Sequence, residues 1–232
     1  MAAASKIIKK PLVYGAGHRM RLRRKFAEGK LTDSELLELL LTYAIPRRDV
    51  KPIARALFAK YGGVHKILTA SVKSLREISG IGESAATFIK ALYELMLTDY
   101  KNYLKENPLL HDAKKLENYC RIAAINRKTE EFHVLYLDRD RRLLTDDAHA
   151  IGTIDSVAVY PREILRRALD INARFVVLAH NHPDGCSSFS TNDIKLTDEI
   201  RRMLAMVDVE VLDHLLISDG LVFSAKDLNW IK

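Results

Sequence analysis

The stretch Phe175–Gly185, FVVLAHNHPDG, decides how this chain is read. An apolar run of the kind that forms a buried strand ends in two histidines with one residue between them, and Pro183 and Gly185 then turn the chain at once. Along a strand, side chains at i and i+2 share a face. His180 and His182 therefore project together, and Asn181 points the other way. Two imidazoles on one face make a natural pair of zinc ligands, although such pairs also occur at surfaces and as hydrogen-bonded core histidines. The strand end is where open α/β sheets place their sites. Asp193, eleven residues beyond His182, opens the next helical pattern, so it can swing back as a third, anionic ligand; by itself it would read as a helix cap. Two histidines and one carboxylate leave the fourth position of a tetrahedral zinc open to water, which marks a catalytic rather than a structural site. A base must then take the proton of that water. Glu130 and Glu131, ahead of the strand FHVLYLD, are both candidates, and spacing does not choose between them.

The elements around this stretch alternate. A helix is expected over Asp112–Asn126 and strands over FHVLYLD, RRLLTDDAHAIG and Ser156–Tyr160. Pro161 opens the helix PREILRRALDIN, and a further helix covers NDIKLTDEIRRMLAMV. Two last strands, VEVLDHLLIS and LVFSA, flank the hairpin signal Asp219-Gly220. Strands alternating with helices give a mixed central sheet flanked by helices. The first half reads as helices only. Thr32 with Glu35 three places on is a capping-box spacing, leading into a leucine-rich helix that Pro46 stops. Pro52 opens a second helix, which Gly62 and Gly63 close. Gly80-Ile81-Gly82 then separates a short helix from one reaching about Leu97, with Leu75, Ile78, Ile81, Ala85, Phe88, Ile89 and Leu92 on one stripe. The polar stretch 101–111 with Pro108 is the expected boundary. The fold class is α/β (α+β): a helical domain with a helix-hairpin-helix unit over residues 1–105, and a sheet domain over 106–232.

Charge divides the chain at the same place. Residues 1–105 hold 20 Lys/Arg against 9 Asp/Glu, and residues 106–232 hold 17 against 21. A basic first half suits contact with phosphate, or is a solvated basic surface. Two cysteines are too few for a disulfide framework. No apolar run approaches the roughly 20 residues that span a bilayer, and the N-terminal residues lack a signal-peptide core. The expectation is a cytoplasmic protein without membrane contact.

HNHPDGCSSFSTND resembles the JAMM (MPN+) metalloprotease motif: two histidines one residue apart, ten residues, an aspartate, and a serine three places before it. His180, His182, Asp193 and Ser190 match. Beyond the motif, HRMRLRRKF, DSELLELLLTYAIPRRDVKPIARALF, SGIG, YPREILRRALDINARFVVLAHNHPDG and VDVEVLDHLLIS are similar to blocks of the bacterial RadC family, so the resemblance covers nearly the whole chain. It implies a JAMM/MPN-type domain after the helical one, with one Zn²⁺ and its catalytic water on His180, His182 and Asp193. It also implies Glu130 as the base, because the family's glutamate stands eight residues before the aspartate here at Asp138, and Ser190 as an oxyanion donor. Ser190 could instead serve only as a helix cap. The implied activity is hydrolysis of a peptide or isopeptide bond in an unidentified protein substrate. Non-specific DNA contact through residues 1–105 would come through the Gly80–Gly82 hairpin. Asp184 stands where the family more often has serine, and Phe189 where it commonly has proline. Alternation turns His214 away from Asp213, and it reads as a hydrogen-bonded structural histidine with an outer-sphere role open to it; for Cys186, in the same loop as Asp184, neither a redox role nor ligation is favoured. The alternatives are a metal-dependent nuclease of DNA repair or recombination, and a binding module that does little chemistry.

Overall fold

A computed structural model describes residues 16–109, 113–124, 129–152 and 159–231. These fall into two compact units, one ending at Tyr93 and the other beginning at Glu94. The division lies inside a helix and before the polar stretch that the sequence suggested as the boundary.

The first unit is helical. Its elements are α1 (Ala16–Ala27), α2 (Asp33–Ala44), α3 (Lys51–Tyr61), α4 (Val64–Thr69), α5 (Val72–Arg76) and the first turns of α6 (Glu83–Glu106). The expected punctuation is present. Thr32 and Glu35 form a full capping box on α2, Pro52 sits in the first turn of α3, and Gly62 closes that helix in the left-handed conformation. Leu37, Leu41, Ile53, Leu57, Ile67, Leu75 and Ile89 are buried. Gly80 is required where it stands. Its φ is +95°, and a Cβ there would lie 2.8 Å from Ile53 Cδ1. Gly82 borders open space.

α6 does not end near Leu97 but runs to Glu106. Its later turns belong to the second unit, where Leu104 is buried and Leu97, Tyr100 and Tyr103 are partly buried against one core. The remaining elements are α7 (Ala113–Ala124), β1 (Glu130–Leu137), β2 (Leu143–Gly152), α8 (Pro161–Asp170), β3 (Phe175–Asn181), α9 (Thr191–Ala205), β4 (Glu210–Ser218) and β5 (Leu221–Ser224). The ends of the helix expected over Asp112–Asn126 lie outside the described residues. So does most of the strand expected over Ser156–Tyr160; Val159 and Tyr160 lead straight into α8. Asp219 and Gly220 both have positive φ, as the tight hairpin between β4 and β5 demands.

The sheet order is β2-β1-β3-β4-β5. Only β3 and β4 are parallel, joined through α9; the other pairs are antiparallel. The sheet is mixed, as expected, and β3 lies at its centre, which explains its unbroken apolar run. Phe132, Val134, Tyr136, Val176 and Leu178 face a core completed by Ile164 and Ala168 of α8 and Ile200 and Leu204 of α9. Leu135, Leu137, Val177, Ala179, Leu215 and Ile217 face the other core, under α7 and the end of α6. The register pairs Phe132 with His180 and Leu178 with His214, so all three of those side chains belong to the α8/α9 face.

Candidate metal centre

The end of β3 delivers two imidazoles to one point. His180 is 1% exposed, and its Nε2 lies 3.1 Å from Nε2 of His182. The His182 N–H donates to the Ile217 carbonyl at 3.0 Å, which extends the β3–β4 ladder by one residue and aligns the second histidine with the first. Nδ1 of His182 lies 3.1 Å from the Cys186 carbonyl. A carbonyl only accepts, so Nδ1 carries the proton and Nε2 keeps its lone pair. The loop that brings Cys186 back turns at Gly185, φ +82°. Asp184 Oδ1 accepts the Cys186 N–H at 3.0 Å. Asp184 thus closes an Asx-type turn, a task that serine performs more weakly.

Asp193 arrives from the first turn of α9. Ser190 is the N-cap: its Oγ accepts the Asp193 N–H at 3.1 Å, while its own N–H donates to Asp193 Oδ2 at 2.6 Å. This reciprocal box fixes the carboxylate over β3. Oδ1 lies 3.5 Å from His180 Nε2 and Oδ2 3.7 Å from His182 Nε2. The ligand atoms of His180, His182 and Asp193 all lie within 4.8 Å of one another, a group that could hold a metal ion. Ligands at 2.0–2.2 Å from a tetrahedral zinc sit about 3.3–3.6 Å from each other; the separations here, 3.1, 3.5 and 3.7 Å with the last two to different oxygens of Asp193, scatter around that range. The Ser190 cap uses an oxygen lone pair and not the hydroxyl hydrogen.

The register separates the two glutamates that spacing could not. Phe132 pairs with His180, so Glu130, two residues earlier, shares the face of the histidines. Glu131 belongs to the opposite face, where its Oε2 lies 3.2 Å from His133 Nε2. Burial raises the Glu130 carboxyl, and the charges of Asp193 and Asp184 act with it. Asn181, the middle letter of HNH, brackets Glu130 from behind. Its Oδ1 accepts the Glu131 N–H at 2.9 Å, and its Nδ2 donates to the Thr129 carbonyl at 3.1 Å.

Behind His180 stands a residue whose role the sequence left undecided. His180 Nδ1 lies 2.8 Å from Nε2 of the fully buried His214. Nδ1 of His214 lies 2.6 Å from Thr197 Oγ1. Burial pushes His214 well below the usual histidine range. Sequence reasoning missed Thr197, although its place one helical turn after Asp193 was a usable signal. Phe189 packs on both rings, at 5.7 Å from His180 and 5.2 Å from His214, and on Trp230 at 4.5 Å. Cys186 is exposed, its Sγ turned toward Ser188, and it is not among the grouped ligands.

Comparison with known proteins agrees along the chain. A family model described as a RadC-like JAB domain matches residues 110–230, and one described as UPF0758 N-terminal matches residues 19–87. A UPF0758 protein of Ruegeria pomeroyi is 40% identical over 214 residues, 91% of this chain and 96% of the relative. One of Rhodobacter capsulatus is 39% identical, covering 89% of this chain and 99% of its own. One of Fusobacterium nucleatum is 37% identical, covering 90% and 94%.

Proposed function

Since this chain belongs to the UPF0758 family and carries a RadC-like JAB domain, we propose that it is a zinc-dependent hydrolase of a peptide or isopeptide bond. The reading is carried by the convergence of His180, His182 and Asp193 on one point. These residues would hold the ion. A bound Zn²⁺ supplies Lewis acidity, polarising a substrate carbonyl and bringing the pKa of water down toward about 7. Glu130, on the same sheet face, takes the proton of the attacking water and returns it to the leaving amine. A carboxyl raised by burial suits a group that must both accept a proton and give it back. The Ser190 hydroxyl donates to the oxygen on which negative charge develops. The donor set argues against a nuclease, since hard divalent cations favour clusters of oxygen ligands and this group is two imidazoles and one carboxylate. Two free cysteines fit a reducing, cytoplasmic setting. Among the described residues no helix is long and apolar enough to cross a membrane.

The test is metal analysis of chelator-free protein, followed by hydrolysis of peptide and isopeptide conjugates. We expect about one zinc per chain. Glu130→Gln should keep the zinc and lose about 10²–10⁴-fold in rate, the usual worth of a positioned acid–base. Undiminished turnover in that variant would remove Glu130 as the base, and protein without zinc would end the reading.

A second contact is favoured by the charge of residues 1–105 and by the open space at Gly82, where α6 begins. Backbone N–H groups at such a helix start suit a phosphate, giving DNA contact without base reading. Binding should weaken steeply with salt, and salt-independent binding would contradict it.

A further inference from the structure

We propose that Thr197 and His214 are positioning residues that orient the proton on His180 so that its Nε2 lone pair faces the metal. The inference rests on the metal-site reading above and adds to it a buried chain of four groups. Thr197 Oγ1 donates to the Asp193 carbonyl at 2.6 Å. A hydroxyl has one hydrogen, so toward His214 the same oxygen can only accept. Nδ1 of His214, 2.6 Å away, therefore carries a proton. The neutral His214 ring then has a bare Nε2, which accepts from His180 Nδ1 at 2.8 Å. With its proton held on Nδ1, His180 turns an unprotonated Nε2 toward His182 and Asp193.

The chain begins and ends on the site. Its first acceptor is the backbone of Asp193 and its last donor is His180, so α9 and β3 are tied together through His214 of β4. Ligating histidines usually donate to a carboxylate or a carbonyl. Here a neutral imidazole takes that place and brings no further negative charge to a fully buried position. The ring cannot swing out of line, because Phe132 meets its edge at 5.6 Å and Phe189 at 5.2 Å. Phe189, one of the two departures from the family pattern, thus helps clamp the relay.

Thr197→Val tests the chain with little change of shape. It removes the acceptor that His214 Nδ1–H has among the described residues, so His214 should move its proton to Nε2 and oppose the donor on His180. Zinc affinity, measured by chelator competition on the full chain, should fall about 10–100-fold, the range for partners behind a ligand. Thr197→Ser should stay within about threefold of wild type, which a merely structural role for the side chain would not require. Nitrogen-resolved histidine NMR of zinc-loaded wild-type protein gives a second readout that needs no variant to fold. It should find the His214 proton on Nδ1. Wild-type zinc affinity in Thr197→Val, or a His214 proton on Nε2 in the wild type, would overturn the proposal. Wild-type protein that binds no zinc at all would instead overturn the metal-site reading beneath it.

Discussion

Two histidine clusters, buried or partly buried, lie on opposite faces of the same sheet, and they are built for different ends. On one face His133 stands between Asp146, 2.8 Å from its Nδ1, and Glu131, 3.2 Å from its Nε2. Both ring nitrogens are spent on carboxylates, and the Tyr119 hydroxyl donates to Asp146 at 2.5 Å. On the other face each histidine of the pair has one nitrogen anchored, His180 by His214 and His182 by the Cys186 carbonyl. The second nitrogens converge. A histidine between two acids is held toward its charged form. Two histidines with one nitrogen pinned each present the other at a point that could hold a metal ion.

The largest effect should come from removing an anchored ligand. His180→Ala is expected to weaken zinc binding by more than the 10–100-fold that an outer partner costs, whereas His133→Ala should leave the zinc content unchanged; equal losses would erase the distinction. Next in size is a pH effect confined to the other face. Burial acts to lower His133, but the hydrogen bonds and charges of Asp146 and Glu131 win and raise it above its ordinary value near 6.5. A raised folded-state value gives stability that is fully present below about 6.5 and lost as pH rises through the folded value. His133→Gln should therefore destabilise the protein by about 1.5–3 kcal/mol at pH 5.5, as loss of charge-assisted hydrogen bonds does, and by less at pH 9. Denaturant melts at the two values check it, and a pH-independent difference would mean that His133 carries no charge in the native state. The smallest effect belongs to Asp184. Asp184→Ser keeps a turn-closing oxygen, so stability should move by no more than about 0.5 kcal/mol, with zinc affinity kept within threefold by competition titration.

Much of this was legible before any coordinates. The capping box at Thr32, the Pro52 and Gly62 bounds of α3 and the Asp219-Gly220 hairpin are local signals with local causes, and they appear where expected. The His180, His182 and Asp193 grouping was legible because strand periodicity and a helix start are also local. Glu130 and Glu131 were not separable by spacing, because only the pairing of Phe132 with His180 says which of two adjacent residues faces the site. The end of α6 was misread because Lys101, Asn102 and Lys105 hide a stripe of Leu97, Tyr100 and Leu104 at helical spacing. Thr197 and His214 come from different elements and meet only through the β3–α9–β4 crossover, so no pattern along the chain joins them.

The central claim is that the converging nitrogens and the Asp193 carboxylate form one metal site. X-ray absorption at the zinc edge of chelator-free protein tests it most directly. The account predicts a first shell of nitrogen and oxygen alone, at about 2.0–2.1 Å, with the signature of two imidazoles. A sulfur at about 2.3 Å, which would bring Cys186 into the shell, or protein that carries no zinc, would contradict it.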